Sequence, residues 1–366
     1  MTDAAQSDAV VDLAAVRAAD APRVGPKMAR LGQLASAGWR VPDGYAITAA
    51  ALEGWLPTPA RSELHRLFSS PATGPASLRL SQQARELIEG QSLPSWLADA
   101  VADAHARLAA RTGRGSMLVV AVRSSAVGED GHAASFAGQY ETYLGVSGTD
   151  EVLRHIVKCW ASGYSAHALD YRRRFGGSSP LRAHDLAVGV LELVDARSAG
   201  VAFTLDPVTG NRDVCVVEGN WGFGESVVSG QVTPDYWTVD RASGQVLTAR
   251  TGAKLTWAAF SPADGRVVLS PLPEDLAGQA CLSEEEVRYI CERAAAIESA
   301  EGGVPQDVEW AVARDLPFPG SVFFLQHRPE TTWPAERPAG EDAETAEPAF
   351  DPVQYALRNV FKVPGT

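Results

Sequence analysis

Residues 117–146 read MLVVAVRSSAVGEDGHAASFAGQYETYLGV, and this stretch decides the fold prediction. It opens with an uninterrupted apolar run, 117–122, which predicts a strand buried on both faces. Arg123 follows, and then a segment of glycines, alanines and acidic residues that predicts a loop. The chain resumes as a second strand over 140–146, in which alternate residues share one face. We therefore expect two sheet strands joined by a loop rich in small residues.

Arg123, at the end of the apolar run, points to an anion site. Its guanidinium keeps its proton and offers a planar fork of donors to phosphate oxygens. The small residues of the loop, Gly138 among them, let backbone N–H groups approach a ligand closely. The alternative interpretation is a tight turn in which Arg123 pairs with Glu129 or Asp130. Local composition alone leaves both interpretations open.

A second candidate cation, Lys27, lies near the start of a predicted helix. The residues Val24-Gly25-Pro26-Lys27 precede apolar residues at helical spacing, and the helix is predicted to end near Gly38. A helix N-terminus favours an anion through its backbone donors and its dipole. The alternative is a solvated surface lysine, the commonest environment of this residue type.

Residues 305–331 contain the candidates for metal and phosphate binding. The sequence PQDVEW at the start of this segment and VFFLQHRPET at its end both read as strands. Glu309 has the carboxylate that Mg²⁺ prefers, and Gln326 offers a neutral carbonyl oxygen. Arg328 lies two residues further along the same strand face and offers a fork to phosphate. The alternative is a surface hairpin held by a Glu309–Arg328 ion pair.

Length and composition favour a globular protein of two or more lobes. The chain has 366 residues, of which 45% are hydrophobic and 21% charged. Its net charge of −13 argues against nucleic acid or an anionic membrane as a partner. The four cysteines form no C-x-x-C pair, which is typical of reduced thiols, and the N-terminus has no apolar signal core. No apolar run is long enough to span a bilayer, so we expect a cytoplasmic protein.

Three blocks of sequence resemble a known family. They are V-A-V-R-S-S-A-x-x-E-D-x-x-x-A-S-F-A-G-Q-Y-E-T-Y-L, W-G-F-G-E-x-V-V-S-G-x-V-T-P-D, and the pair Q-D-V-E-W with L-Q-x-R-P-E-T. Together they resemble the nucleotide-binding domain of phosphoenolpyruvate synthase, pyruvate phosphate dikinase and rifampin phosphotransferase. The resemblance implies an α+β, ATP-grasp fold with two lobes that close over ATP.

The resemblance also implies roles for the candidate residues. Lys27, Arg123, Glu309 and Arg328 are the predicted catalytic residues. Glu309 and Gln326 are the predicted Mg²⁺ ligands. The predicted ATP-binding residues are Lys27, Arg123, Gly138, Thr142, Glu309, Gln326 and Arg328.

Four positions within the region of resemblance differ from the family pattern or contain a histidine. Pro26 replaces a glycine of the family pattern and removes one backbone donor. Leu191 replaces a glutamine that the family has near the adenine ring, so adenine recognition would rest on backbone groups or shape. His132 and His327 lie inside the motifs, but the family does not use either position as a phosphoryl acceptor.

The family resemblance further implies a partner. In the family, this domain is followed by a swivelling domain with a phosphorylatable histidine, and then by a substrate domain. ATP phosphorylates the histidine by pyrophosphoryl transfer, and the end products are AMP and phosphate. No T-S-H-A-A type motif follows in this sequence, which therefore resembles the separate ATP-binding subunit of phenylphosphate synthase. We expect a histidine-bearing domain or subunit as partner, with a small-molecule substrate on that partner.

The chain is predicted to divide into five segments. Residues 1–20, rich in alanine and aspartate, are predicted to be mobile. The two lobes are predicted to span 21–185 and 186–333. Residues 334–349 have the composition of a linker, and 350–366 contain the aromatic and apolar residues of a possible docking segment.

Three further patterns predict secondary structure. Residues 150–175 predict one long helix with an apolar stripe. Residues 186–206 predict two strands joined by a turn. Ser283 with Glu286 predicts a capping box at the start of a helix.

Three functions stay open from the sequence. The first is a phosphotransferase subunit that acts through a partner's histidine. The second is a stand-alone ATP-grasp kinase or ligase that acts directly on a small molecule. The third is a nucleotide-binding regulatory subunit without turnover; the charged set at Lys27, Arg123, Glu309 and Arg328 argues against it.

Overall fold

The structure is a computed structural model that describes residues 8–68, 74–127, 141–166, 186–261, 264–330 and 332–333. The chain forms two compact units. The first comprises Met1–Leu193 with Phe260–Arg266, and the second comprises Val194–Ala259 with Val267–Thr366. Helices and antiparallel sheets occur together in the chain, so the predicted α+β class is confirmed.

The first unit is built on a five-stranded sheet with the order β1-β2-β5-β3-β4. Every neighbouring pair of strands in it is antiparallel. The strands are β1 (Val10–Asp12), β2 (Gly44–Ile47), β3 (Val119–Ala126), β4 (Thr142–Ser147) and β5 (Leu186–Glu192). The helices are α1 (Ala21–Ser36), α2 (Ala49–Trp55), α3 (Thr58–Phe68), α4 (Pro75–Glu89), α5 (Ser95–Arg111) and α6 (Thr149–Ser162).

The two faces of this sheet have different covers. Val120 and Val122 on β3 face the main core, which includes buried residues of α2 to α6. Helix α1 covers the other face, where Met28 packs with Leu191 of β5. Both faces of β3 are therefore covered, which is why its first half, 119–122, is an unbroken apolar run rather than an alternating one.

The second unit is built on a six-stranded sheet with the order β13-β12-β6-β7-β8-β9. All neighbouring strands are antiparallel. The strands are β6 (Ala196–Phe203), β7 (Val214–Trp221), β8 (Asp235–Asp240), β9 (Val246–Arg250), β12 (Gln306–Ala313) and β13 (Val322–Pro329). Two further strands, β10 (Thr256–Ser261) and β11 (Arg266–Pro271), form a two-stranded sheet. The helices are α7 (Glu225–Val228), α8 (Glu274–Ala277) and α9 (Glu284–Ala300).

Helix α9 packs on one face of the six-stranded sheet, against β6, β7, β8 and β12. Its buried side chains recur at helical spacing: Val287, Ile290, Ala294 and Ile297. The predicted capping box is confirmed, because Ser283 accepts from the Glu286 N–H while the Glu286 carboxylate accepts from the Ser283 N–H. The Cys291 thiol of α9 lies against the Cys215 thiol of β7. Glu218 lies an odd number of residues after Cys215 on β7, so its side chain is on the sheet face opposite to α9.

The prediction that residues 1–20 are mobile is wrong from residue 8 onward. β1 pairs with β2, and two short 3-10 helices follow it. Ala9, Leu13 and Val16 are at most 2% exposed. The burial of these three apolar side chains stabilises the folded segment, although its composition is rich in alanine and aspartate.

Two other boundaries differ from the sequence expectation. Helix α6 ends at Ser162 and is followed by a turn at Gly163, so the helix predicted over 150–175 is shorter in its described part. The two strands predicted over 186–206 both exist, but β5 lies between β2 and β3 whereas β6 lies in the second sheet. The first unit therefore extends to Leu193 rather than 185.

Several predicted segments lie outside the described residues. They are the remainder of the helix from 167, the linker over 334–349 and the docking segment over 350–366. Among the residues that the structure describes, no helix has the length and apolar character needed to cross a membrane. All four cysteines are buried, and none of them forms a disulfide bond.

Candidate functional site

The hairpin of β12 and β13 brings the candidate residues of the second unit together. Glu309 stands directly opposite Gln326, and Asp307 directly opposite Arg328. Cross-strand partners and alternate residues share a face of a sheet, so all four polar side chains lie on one face. The sequence prediction that Gln326 and Arg328 share one strand face agrees with this register.

Arg328 forms its ion pair with Asp307 rather than with Glu309. Its Nε donates to Asp307 Oδ2 at 3.0 Å. The Asp307 side chain is 9% exposed and that of Arg328 39%. The alternative of a hairpin held by a Glu309–Arg328 pair is therefore wrong in its partner. The charge of Glu309 acts on Arg328 without a direct ion pair, and among the described residues the Glu309 carboxylate accepts no hydrogen bond.

Asp307 is a site residue to which the sequence analysis gave no role. The pKa of its carboxyl is raised to about 7: burial is the largest cause and the neighbouring Glu330 adds to it, while Arg328 lowers it. Its Oδ1 atom is buried and finds no donor among the described residues. The D-x-E spacing with Glu309 could have revealed it, because residues two apart on a strand share a face.

The donor set of the hairpin fits a hard divalent cation that is held jointly with phosphate. Glu309, Gln326 and the unbonded oxygen of Asp307 are carboxylate or amide oxygens on one sheet face. The described residues contain no group of three or more His, Cys, Asp and Glu side chains that could enclose a metal alone. Mg²⁺ is commonly bound by one or two carboxylates together with substrate phosphates, so an incomplete protein cage is the expected arrangement.

The same sheet face continues beyond the hairpin. The register runs from Glu309 through Val201 of β6 and Glu218 of β7 to Tyr236 of β8 and Arg250 of β9. Burial raises the pKa of the half-buried Glu218 carboxyl. The Arg250 guanidinium lies 4.9 Å from the centre of the Tyr236 ring. Sequence analysis missed this row, since only the strand pairing places these residues side by side.

In the first unit, one sheet face holds the other candidates. Arg123 of β3 stands opposite Thr142 of β4 and Gly189 of β5. A Cβ at Gly189 would lie 2.3 Å from Met28 Sδ, so this is the face that α1 covers. Helix α1 carries Lys27, and the structure therefore places Lys27, Arg123 and Thr142 on the same side of the first sheet.

Helix α1 is broken at Gly25, which has φ 74° and ψ 160°. A new helical run begins at Pro26 and carries Lys27 in its first turn. Proline is tolerated at the first helical position because its missing N–H would have no intrahelical partner there. The departure at Pro26 thus suits the local fold.

Four further residues named in the sequence analysis have simpler outcomes. Leu191 is 3% exposed and packs in the core beneath α1, so its side chain is a core residue. His327 is 1% exposed, and its Nδ1 lies 3.0 Å from Gln306 Oε1, which gives it a structural role. Gly138 and His132 lie outside the described residues.

The second glycine-rich block closes a turn within the second unit. The Phe223 N–H donates to the Ala258 carbonyl at 2.9 Å, directly after β7 ends at Trp221. A Cβ at Gly222 would lie 2.2 Å from the same carbonyl oxygen. The small residue therefore permits the close approach of two backbone segments.

The sequence of the chain is similar to those of known proteins. The sequence profile described as "Pyruvate phosphate dikinase, AMP/ATP-binding domain" matches residues 21–348. A probable phosphoenolpyruvate synthase of Staphylothermus marinus is 35% identical over 351 residues, which is 90% of this chain and 42% of the relative. One of Methanothermobacter thermautotrophicus is 37% identical over 84% of this chain and 44% of the relative.

A rifampicin phosphotransferase of a Streptomyces species is 38% identical over 88% of this chain and 36% of the relative. The chain thus spans less than half the length of each of these three relatives. The similarity therefore concerns one portion of longer proteins.

Proposed function

Because the chain belongs to the family of the pyruvate phosphate dikinase AMP/ATP-binding domain and has its ATP-grasp fold, we propose that it is the ATP-binding part of an ATP-dependent phosphotransferase. It binds Mg-ATP and phosphorylates a histidine on a partner domain or subunit, leaving AMP and phosphate. The single observation that carries the proposal is the polar face of the β12–β13 hairpin, with Glu309 opposite Gln326 and Asp307 paired to Arg328.

The hairpin binds the metal and the phosphates. Glu309 and Gln326 hold Mg²⁺, with Asp307 Oδ1 as a further oxygen at the same face. When bound, Mg²⁺ neutralises charge on the phosphate oxygens. Arg328 donates to a phosphate oxygen through the part of its guanidinium that Asp307 does not use. Asp307 fixes the orientation of that guanidinium.

The charged candidate residues of the first unit are two cations. Lys27 and Arg123 bind phosphate oxygens and stabilise the charge that develops on the transferring group. Thr142, opposite Arg123, and Gly138 add neutral donors for ATP. We assign adenine recognition to backbone groups, since the side chain at Leu191 is apolar.

The phosphoryl transfer takes place in two displacement steps. An imidazole nitrogen of the partner attacks the β-phosphorus of ATP, and the bond between the α-phosphoryl oxygen and the β-phosphorus breaks to release AMP. Water then removes the terminal phosphoryl group as phosphate and leaves phosphohistidine. The relatives named above are synthases and phosphotransferases of small molecules, so the phosphohistidine would serve a small-molecule substrate on the partner. The proposed setting is the cytoplasm.

The test follows the β-phosphorus. The chain is incubated with β-³²P-ATP and Mg²⁺, alone and with a protein that carries the family's swivelling histidine domain. We expect slow ATP hydrolysis by the chain alone, and AMP, phosphate and labelled partner in the mixture. A partner whose histidine is replaced by alanine is the control. Rapid conversion of ATP to ADP by the chain with a small molecule would instead support a stand-alone kinase.

A further inference from the structure

The break in helix α1 leaves the helical turn of Lys27 without a capping side chain of its own. The first N–H groups of a helical run have no intrahelical acceptor. A side-chain oxygen at the residue before the run usually accepts from the second or third N–H. Here that residue is Gly25, which has no side chain. The third residue of the new run is Met28, and its N–H needs an acceptor from elsewhere.

Ser125 of β3 provides that acceptor from a distant part of the sequence. The Met28 N–H donates to Ser125 Oγ at 3.4 Å, across a separation of 97 residues. Ser125 is 0% exposed and Met28 1%. A Cβ at Gly25 would lie 2.2 Å from Ser125 Oγ and 2.3 Å from the Ser125 carbonyl oxygen. The Ser125 side chain thus fills the volume that a capping side chain at residue 25 would occupy.

The same strand holds the other cation of this unit. Arg123 lies two residues before Ser125 on β3, so both side chains leave the same face of the sheet. Lys27 lies next to Met28 in the capped turn. The Ser125–Met28 bond therefore joins the turn that carries Lys27 directly to the strand that carries Arg123.

We propose that Ser125 is a positioning residue for Lys27: its hydroxyl caps the α1 turn from the sheet and sets where the lysine stands relative to Arg123. The inference rests on the proposed function, because it assigns Lys27 to the phosphates of ATP. Ser125 itself touches no ligand, since it is fully buried against α1.

The experiment compares two adjacent serines. Ser125→Ala removes the capping hydroxyl. Ser124→Ala is the matched control, because Ser124 is 2% exposed and its hydroxyl does not contact α1. It donates instead to the carbonyl of Glu141, the residue before β4. Calorimetry measures the affinity of each variant for Mg-ATP and for adenosine, and amide hydrogen exchange measures Met28 without nucleotide.

We expect Ser125→Ala to weaken Mg-ATP binding about 2- to 30-fold, the range of a lost helix cap, and to leave adenosine binding unchanged. The Met28 amide should exchange faster in Ser125→Ala than in Ser124→Ala. In a Lys27→Ala background, Ser125→Ala should change Mg-ATP affinity less than about twofold, because coupled residues are not additive.

Three results would overturn the inference. They are an unchanged Mg-ATP affinity, an equal loss for ATP and adenosine, and a full effect of Ser125→Ala in the absence of Lys27. The wild-type chain could bind no Mg-ATP while the exchange rate of the Met28 amide still depends on Ser125. That result would refute the proposed function and would leave Ser125 only a structural role as the cap of the α1 turn. Ser125→Cys, which keeps the side-chain volume but accepts hydrogen bonds only weakly, provides a second variant if Ser125→Ala does not fold.

Discussion

The two units position their candidate residues by different means. In the second unit, Asp307, Glu309, Gln326 and Arg328 all belong to one hairpin, and strand register alone sets their spacing. In the first unit, Lys27 is carried by a helix and Arg123 by a strand, and the two segments meet through side-chain and backbone packing.

The difference also concerns charge. The first unit presents cations for phosphate, whereas the second presents carboxylate and amide oxygens for a metal together with one guanidinium. A hairpin holds its residues through regular hydrogen bonds, so single substitutions there should change chemistry more than architecture. The α1 contact depends on close packing, so substitutions there should change both.

The largest expected effect concerns the cations of the first unit. Lys27→Ala and Arg123→Ala should each lower turnover with the histidine partner about 100-fold or more, because each removes a donor that stabilises charge on the transferring group. Turnover is measured as AMP release, and circular dichroism reports the fold. Arg107→Ala is the control, since Arg107 is 52% exposed and pairs with Asp12. Normal turnover in a folded Lys27→Ala or Arg123→Ala variant would show that the substituted residue has no role in catalysis.

The second prediction concerns packing in the first unit. Gly25→Ala should lower the free energy of unfolding about 1–3 kcal/mol more than Gly38→Ala does. Both glycines have positive φ, at 74° and 82°, but only Gly25 lies against another segment, whereas a Cβ at Gly38 meets nothing within 4 Å. Urea denaturation measures the two losses. Equal losses of unfolding free energy in the two variants would show that α1 and β3 can move apart at little energetic cost.

The third prediction concerns the metal in the second unit. Glu309→Gln should weaken nucleotide binding about tenfold or more in the presence of Mg²⁺ and much less in EDTA, because its partner is the ion. Calorimetry in the two buffers gives the comparison, with the exposed Glu285→Gln as control. A loss of the same size in both buffers would assign Glu309 to structure rather than to metal binding.

The smallest effect is expected at Glu218. Burial raises the pKa of this carboxyl, so the folded chain holds the proton more tightly than the unfolded chain. The resulting stabilisation is complete below the ordinary glutamate pKa and is lost as pH rises past the raised value.

Glu218→Gln should therefore raise Tm at about pH 8 and leave it unchanged at about pH 4, with roughly 2–4 °C for each kcal/mol. Calorimetric scans at the two pH values measure the shift. The exposed Glu225→Gln should show no such difference. A lower Tm of Glu218→Gln at the higher pH would mean that the ionised carboxylate has a compensating partner.

The hairpin was largely predictable from sequence, and the reason is its locality. Alternation along Q-D-V-E-W and L-Q-H-R placed Glu309, Gln326 and Arg328 on strands, and the register agrees with one shared face. The hydrogen-bonded partner of Arg328, Asp307, was not predicted. An alternating pattern fixes which face a residue occupies, but it does not say which of two carboxylates on that face an arginine contacts.

The first unit was less predictable because its contacts are non-local. Nothing near Gly25 in the sequence indicates that Ser125 fills the space beside it. Similarly, a buried apolar strand such as β5 does not reveal which sheet it joins, and so the predicted lobe boundary fell before it rather than after it. The buried residues of β1 and the turn after it were missed because short segments carry little periodicity.

The four buried cysteines give each unit its own chemical reporter. Cys159 belongs to the first unit, and Cys215, Cys281 and Cys291 belong to the second. Burial raises the pKa of the Cys159 and Cys281 thiols, so neither forms the reactive thiolate while it stays covered. A thiol reagent can therefore modify the native chain only when a unit opens. The rate of alkylation at Cys159, set against that at Cys281, would time the local unfolding of the two units separately and without any introduced label.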